Sequence, residues 1–291
     1  MPEATSFPLD VFSAAWADLV AAASPGVVAV QRARSRSSGL AWRANLIVTA
    51  DEALAEKGEI VVTSADGQTG EASIVGRDPS TDIALLRVEG ASFEAIRFAT
   101  EPLRPGAWAL ALGAGPRVHA GVVATAGPAW QSMRGGAIDA RIELDLRLRR
   151  EAEGGLALDA GGRAFGMVVY GPRRRTLVIP AATIDRVASR LERDGRIPRG
   201  YLGLGLQPVR VEETGSIGAM VISLDHNGPG AAAGLHQGDV IVQWNGQTVT
   251  GVGGLLRALG PDSVGRTVAL TIRRGGDSLD LSLTIAERLP C

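Results

Sequence analysis

Asp78-Pro79-Ser80-Thr81-Asp82-Ile83-Ala84-Leu85-Leu86-Arg87-Val88 joins a polar, Pro-containing turn to a short apolar run, and reads as a strand over 83–88 entered from a turn. Working outward, short runs rich in branched residues recur at 27–30, 44–49, 60–63 and 72–75 before it. They continue at 108–112, 118–125, 138–146, 164–169 and 177–179 after it, each cut off by Gly, Pro, Asp or Ser. Ten strands at this spacing, in a chain of 291 residues with 38 Gly, predict a mostly β fold of barrel or sandwich type over this region.

Two helical stretches interrupt the rhythm. Leu9, Phe12, Trp16 and Leu19 fall near helical spacing over 9–23 and stop at Pro25-Gly26, which predicts one amphipathic helix. Ile184, Val187, Ala188 and Leu191 form a second stripe over 181–193, followed by the punctuated stretch Asp194-Gly195-Arg196-Ile197-Pro198-Arg199-Gly200. Strands at 202–208, 219–224, 239–244, 268–273 and 279–285, with a short helix at 254–259, then predict a second compact domain of 200–291. The expected organisation is an N-terminal segment 1–26, a first domain 27–193, a linker 194–199 and a second domain 200–291.

Composition narrows the function. Thirty Arg and Lys against 31 Asp and Glu give a net charge of -1, so no global field draws the chain to nucleic acid or an anionic membrane. The single Cys291 excludes an intrachain disulfide and a Cys-rich metal site, and His119, His226 and His236 are the only imidazoles. No apolar run reaches the roughly 18–20 residues that span a bilayer. The opening Met1-Pro2-Glu3-Ala4-Thr5-Ser6 lacks a basic n-region and an apolar core, so the sequence as given is expected in the cytoplasm, and in the periplasm if its start is misassigned.

Two segments of the second domain carry a resemblance. Arg199-Gly200-Tyr201-Leu202-Gly203-Leu204-Gly205 resembles the opening of a bacterial PDZ domain, and Gly228-Pro229-Gly230-Ala231-Ala232-Ala233-Gly234-Leu235-His236-Gln237-Gly238-Asp239-Val240-Ile241-Val242-Gln243-Trp244-Asn245-Gly246 resembles its central signature. Such a module takes up a peptide by strand addition, with backbone N–H groups holding the terminal carboxylate. The resemblance implies a peptide site at Tyr201, Leu202, Gly203, Leu204 and Leu206, with Leu255 or Leu259 from the helix; alternation puts 202, 204 and 206 on one strand face. Domain core is the competing assignment for these Leu residues.

A β-rich domain followed by a PDZ module is similar to the HtrA family of trypsin-like serine proteases. Ser24-Pro25-Gly26-Val27-Val28, Leu46-Ile47-Val48-Thr49, the Asp78–Leu86 run, Gly154-Gly155 and Val178-Ile179-Pro180 match in order. The implied fold is a trypsin-like double β-barrel followed by a PDZ domain. The family's chemistry needs a Ser hydroxyl, a His base and an Asp that orients the His. Its Thr-Asn-Asn-His reads Thr49-Ala50-Asp51-Glu52, which puts Glu52 at the base position; the Asp position holds Asp82, 30 residues further on. Its Gly-Asn-Ser-Gly-Gly-Pro reads Glu151-Ala152-Glu153-Gly154-Gly155-Leu156, which puts Glu153 at the nucleophile position and Glu151 where a Gly supplies the first oxyanion donor. His119 follows Asp82 in the chain and cannot serve as the displaced base.

The resemblance with these replacements implies a degenerate member, a pseudoprotease that binds C-terminal peptides or unfolded segments, with a chaperone-like or regulatory role. A hydrolase with residual or unorthodox activity is the alternative, and a structural adaptor a third. Glu52, Asp82 and Glu153 would gather three carboxylates, which either bind a divalent cation or simply reach solvent or pair with Arg147, Arg149 or Arg150; the second is preferred, so no metal and no cofactor is expected. Family relatives form trimers through N-terminal segments, which makes Phe7, Phe12 and Trp16 candidates for subunit contact, with themselves or with active relatives; docking of the helix on its own barrel explains them equally well.

Overall fold

The computed structural model describes residues 9–54, 57–99, 101–115, 117–211 and 215–288. Phe7 and Cys291 lie outside the described residues. Among those described, one compact unit holds the chain up to Trp130 together with Ile138–Arg196, and a second holds Gln131–Ala137 and the chain from Ile197 onward.

In the first unit α1 (Leu9–Ala23) is followed by β1 (Val27–Arg32), β2 (Ser35–Arg43), β3 (Leu46–Thr49), β4 (Ile60–Thr63), β5 (Thr69–Asp78) and β6 (Ile83–Val88). These six strands close into a barrel in the order β1-β2-β3-β6-β5-β4. Alternation sends Val28, Val30, Ile47, Val62, Ala84 and Leu86 inward. Next come β7 (Trp108–Gly113), β8 (Arg117–Gly127), the two-residue strands β9 (Trp130–Gln131) and β10 (Ala137–Ile138) at the ends of the segment assigned to the second unit, then β11 (Arg141–Asp145), β12 (Leu156–Asp159), β13 (Ala164–Tyr170) and β14 (Thr176–Pro180). A second barrel closes in the order β11-β14-β13-β12-β7-β8 around Ala111, Val123, Ile142, Leu144, Ala157 and Val168.

The helix α2 (Ala181–Asp194) buries Ile184, Val187, Ala188 and Leu191, the stripe legible in the sequence, and ends on Gly195 at φ 70°. It is tied to both barrels. Asp185 accepts from Trp42 Nε1 at 2.6 Å and Glu192 pairs with Arg43 at 2.6 Å, while Thr183 Oγ1 donates to Asp139 at 2.6 Å. None of the residues of α1 is buried, but Trp16 packs between Phe12 and Trp108, with ring centroids 5.2 and 5.8 Å away.

In the second unit β15 (Gly200–Tyr201) precedes β16 (Leu204–Arg210), β17 (Ile217–Leu224), α3 (Pro229–Ala232), β18 (Val240–Trp244), β19 (Gln247–Thr248), α4 (Val252–Ala258), β20 (Thr267–Arg274), β21 (Asp277–Thr284) and β22 (Ala286–Glu287). The main sheet runs β16-β17-β18-β20-β21, so β16 is an edge strand; β15 pairs with β22.

Three expectations need correction. The strands β2 and β12 form where the sequence pattern predicts none. The 138–146 run divides into β10 and β11, because Asp139-Ala140 forms a bend in which the Asp139 amide is held by Thr183. Finally, the strand expected to begin at Leu202 begins at Leu204, because Gly203 sits at φ 71° and breaks the alternation. Leu202, at 4% exposure, is therefore core, as are Leu255 and Leu259 at 2% and 8%.

Candidate functional site

The segment that carries Glu153 folds as a tight 3-10 turn, Arg150–Ala152, between β11 and β12. Its carbonyls and amides close on themselves: Ala152 N–H donates to Arg149 O at 2.9 Å and Glu153 N–H to Arg150 O at 3.2 Å. Ser38, fully buried in β2, fixes the turn from the first barrel. Its N–H donates to Glu153 O at 2.8 Å, its hydroxyl donates to Glu151 O at 2.7 Å, and that hydroxyl accepts from Ala114 N–H at 2.9 Å. Gly154 follows at φ 81°, where a Cβ would lie 2.2 Å from the Ser38 carbonyl oxygen; no side chain fits.

Glu52 and Asp82 come from two turns of the first barrel. Buried Asp78 receives Ser80 N–H at 3.1 Å and the Ser80 and Thr81 hydroxyls at 2.5 and 2.7 Å, so the polar part of the Asp-Pro-Ser-Thr-Asp run builds its own turn. Asp82 leaves that turn at φ 57° and accepts Glu52 N–H on Oδ1 at 2.8 Å. Beside it Asp51, buried at 3% exposure, is neutralised by the Arg77 guanidinium, which also reaches the Asp51 carbonyl at 3.0 Å.

The three carboxylates feel one another. Burial pushes the Asp82 carboxyl up to about 7, with Glu52, Glu153 and Asp51 adding like-charge repulsion against the Glu52 amide that favours ionisation. Burial also raises Glu153, at 7% exposure, against the Tyr170 backbone N–H that its carboxylate accepts; Glu52 raises it further and Arg150 opposes. Glu52 itself lies at the surface. Of the two routes expected for these carboxylates, Glu52 takes the one to solvent, whereas Glu153 is buried and feels Arg150. His119, on β8, is pushed down by burial and by Arg149, and its buried Nε2 has no hydrogen-bond partner among the described residues. Among the described residues no group of three or more His, Cys, Asp or Glu is placed to hold a metal ion.

Ser38, Arg77 and Tyr170 carry no sequence signal that marks them as part of this site. A buried Ser in a Ser- and Arg-rich stretch carries no periodic signal, and Arg77 acts on Asp51 across a barrel rather than along a chain segment.

In the second unit the turn Tyr201–Leu204 is held from behind. Gly230 N–H donates to Leu202 O at 2.8 Å, Asp225 N–H to Gly203 O at 2.8 Å, and Tyr201 Oη to Asp225 at 3.0 Å. On β17 Val221 spends both backbone groups on the far side, giving its N–H to Asp239 O and accepting from Gly238. Its cross-strand neighbour Leu206 therefore points its own N–H and C=O to the open edge. The alternation extends this to Leu204 and Pro208, and Pro208 offers only a carbonyl there. Leu204 and Leu206 are half-buried against the core and face the level of the edge that an added strand would occupy.

Residues 37–167 match the model of the trypsin-like peptidase domain and residues 200–285 that of the PDZ domain. Among curated proteins, a probable periplasmic serine endoprotease DegP-like from Bartonella henselae is 31% identical, over 82% of this chain and 50% of that protein. Its namesake from Rhizobium meliloti is 29% identical, over 87% and 54%. The chain spans about half the length of the curated relatives it matches. Among solved structures, a serine endoprotease from Yersinia pestis superimposes with a TM-score of 0.73 at 25% identity, covering 94% of this chain and 98% of that one. The HtrA-type protease AlgW with decapeptide gives 0.73 at 21% identity, covering 95% and 99%, which supports the fold. The chain thus joins a trypsin-like peptidase domain to a PDZ domain and is homologous to DegP-like serine endoproteases over about half of their length.

Proposed function

We propose that this chain binds peptides without cutting them. The observation that carries the reading is Glu153: a buried carboxylate at the position matched to the nucleophile, whose own N–H is committed to the Arg150 carbonyl. A carboxylate cannot be relayed by Asp82 and Glu52 as a Ser hydroxyl is by a His, and the amide that would stabilise an oxyanion is already occupied. Binding falls to the PDZ domain. The turn at Tyr201–Leu204 takes the C-terminal carboxylate of a peptide or unfolded segment, β16 pairs with it, and Leu204 and Leu206 favour an apolar last residue.

The test uses the full chain and a labelled decapeptide ending in Leu-Ala-Val. Saturable binding with the peptide mass unchanged after a day supports the reading; a cleaved peptide, or none bound, overturns it. We place the protein in the periplasm after the names of its relatives, which a reporter active only outside the cytoplasm checks. We also assign subunit association, with itself or with active relatives, to the exposed Phe12 face of α1; a monomeric mass for the full chain in solution contradicts it.

A further inference from the structure

Two short segments beside Glu153 carry six exposed arginines, Arg147, Arg149, Arg150, Arg173, Arg174 and Arg175. One carries Arg147 and Arg149 ahead of the 3-10 turn and Arg150 at its first position; the other is the turn Pro172–Arg174 with Arg175 after it. They are fastened side by side by the two residues that bracket the second turn. Tyr170 Oη donates to Leu148 O at 3.0 Å, and Thr176 Oγ1 donates to Leu146 O at 3.1 Å. The second turn is closed by Gly171 N–H on Arg175 O at 2.7 Å. Arg173 and Arg174 both stand at φ 58°, a left-handed conformation that costs a non-Gly residue about 1–2 kcal/mol.

Arg141 and Arg175 nearby share one carboxylate, since both close on Glu143. Arg147, Arg149, Arg150, Arg173 and Arg174 are different: all are exposed, and among the described residues none forms a salt bridge. Burial and the Glu153 carboxylate push the Tyr170 phenol up, with Glu151 adding to this, while Arg174 from one segment and Arg150 from the other both oppose it, which places the two segments around one ring. In a chain of net charge -1, five guanidinium groups left unpaired on one fastened surface are not the product of overall basicity.

We propose that this surface of the second barrel docks an acidic polypeptide segment, its Asp and Glu side chains received by Arg149, Arg150, Arg173 and Arg174. The planar guanidinium takes a carboxylate through two parallel N–H donors, which suits isolated, spaced carboxylates. Glu151 sits within the first segment, and Glu153 just behind it. A nucleic acid, with a phosphate at every step, would set some of its charge against Glu151; a peptide with spaced carboxylates avoids it. The site uses no residue of the C-terminal peptide turn and stands or falls independently of it.

The experiment titrates the full chain against a labelled peptide of repeating Asp-Gly-Glu-Gly, amidated at its C-terminus so that carboxylate capture cannot contribute. Saturable binding is expected at about 50 mM NaCl, weakened about tenfold at about 300 mM. Arg149→Glu with Arg174→Glu should weaken it by about tenfold or more, whereas Arg34→Glu with Arg87→Glu, the same charge change on the first barrel, should stay within about twofold. The milder Arg149→Gln with Arg174→Gln should fall between. Absence of binding at low salt, or equal losses in the two Glu pairs, overturns the proposal. Tighter binding of an oligonucleotide of equal charge would overturn the acidic-peptide assignment in favour of nucleic acid.

Discussion

The backbone N–H of Glu52 reaches Oδ1 of Asp82 at 2.8 Å, which holds a half-buried carboxyl group among other carboxylates. That group ionises only near neutral pH, and its titration is a handle on stability. Its folded value of about 7 stands above the ordinary 3.8, so the folded chain holds the proton more tightly than the unfolded one. The associated stability is fully present below about pH 4 and is lost as pH rises through about 7. Asp82→Asn keeps an acceptor for the Glu52 amide and tolerates the left-handed backbone. It should equal the native chain at pH 4 and exceed it by about 1–3 kcal/mol at pH 8 in urea unfolding. A difference that does not change with pH would contradict the assignment.

Restoring the chemistry takes more than restoring side chains. Glu52→His with Glu153→Ser should give no measurable turnover of casein, because the amide at 153 still faces the Arg150 carbonyl and Glu151 remains where the family has Gly. Robust turnover by this double variant would show that the turn rearranges freely.

Ser38→Ala should cost about 1–3 kcal/mol, since it strips partners from the Glu151 carbonyl and the Ala114 amide at a buried position. Chemical denaturation reads this directly, and a loss under a few tenths would mean that the turn is held by other contacts.

For peptide binding, the informative variant is Leu204→Glu, half-buried at the open edge, and not Leu202→Glu, which places a charge in the core and should unfold the domain. The first should weaken an apolar-ended peptide by about tenfold with the melting temperature preserved, and amidating the peptide should do at least as much. Calorimetric titration showing equal affinity for acid and amide forms would exclude carboxylate capture.

The strands that carry a continuous or alternating apolar pattern are legible in the sequence: β4 and β6 end where their runs do, and α1 spans its predicted residues. The strand β2 is not, because Ser35-Arg36-Ser37-Ser38-Gly39 is polar and its burial of Ser37 and Ser38 is satisfied by hydrogen bonds from other segments. The same reason hides Ser38 from the candidate site, since its role spans more than a hundred residues of chain. The four-residue β12, Leu156–Asp159, is too short for a period to show. At the PDZ turn, alternation extrapolates across Gly203, and a single positive φ reverses which Leu is core and which faces the edge. The Arg segments are visible as composition, but only the fold brings 147–150 against 173–174.

Whether the chain cuts protein is settled most directly by incubating the purified native protein with fluorescein-labelled casein, beside Glu153→Ala prepared in the same way, and following release of acid-soluble fluorescence. Release by neither protein above a protein-free control is expected. Release by the native protein that Glu153→Ala abolishes would contradict a binding role and return the chain to the working endoproteases.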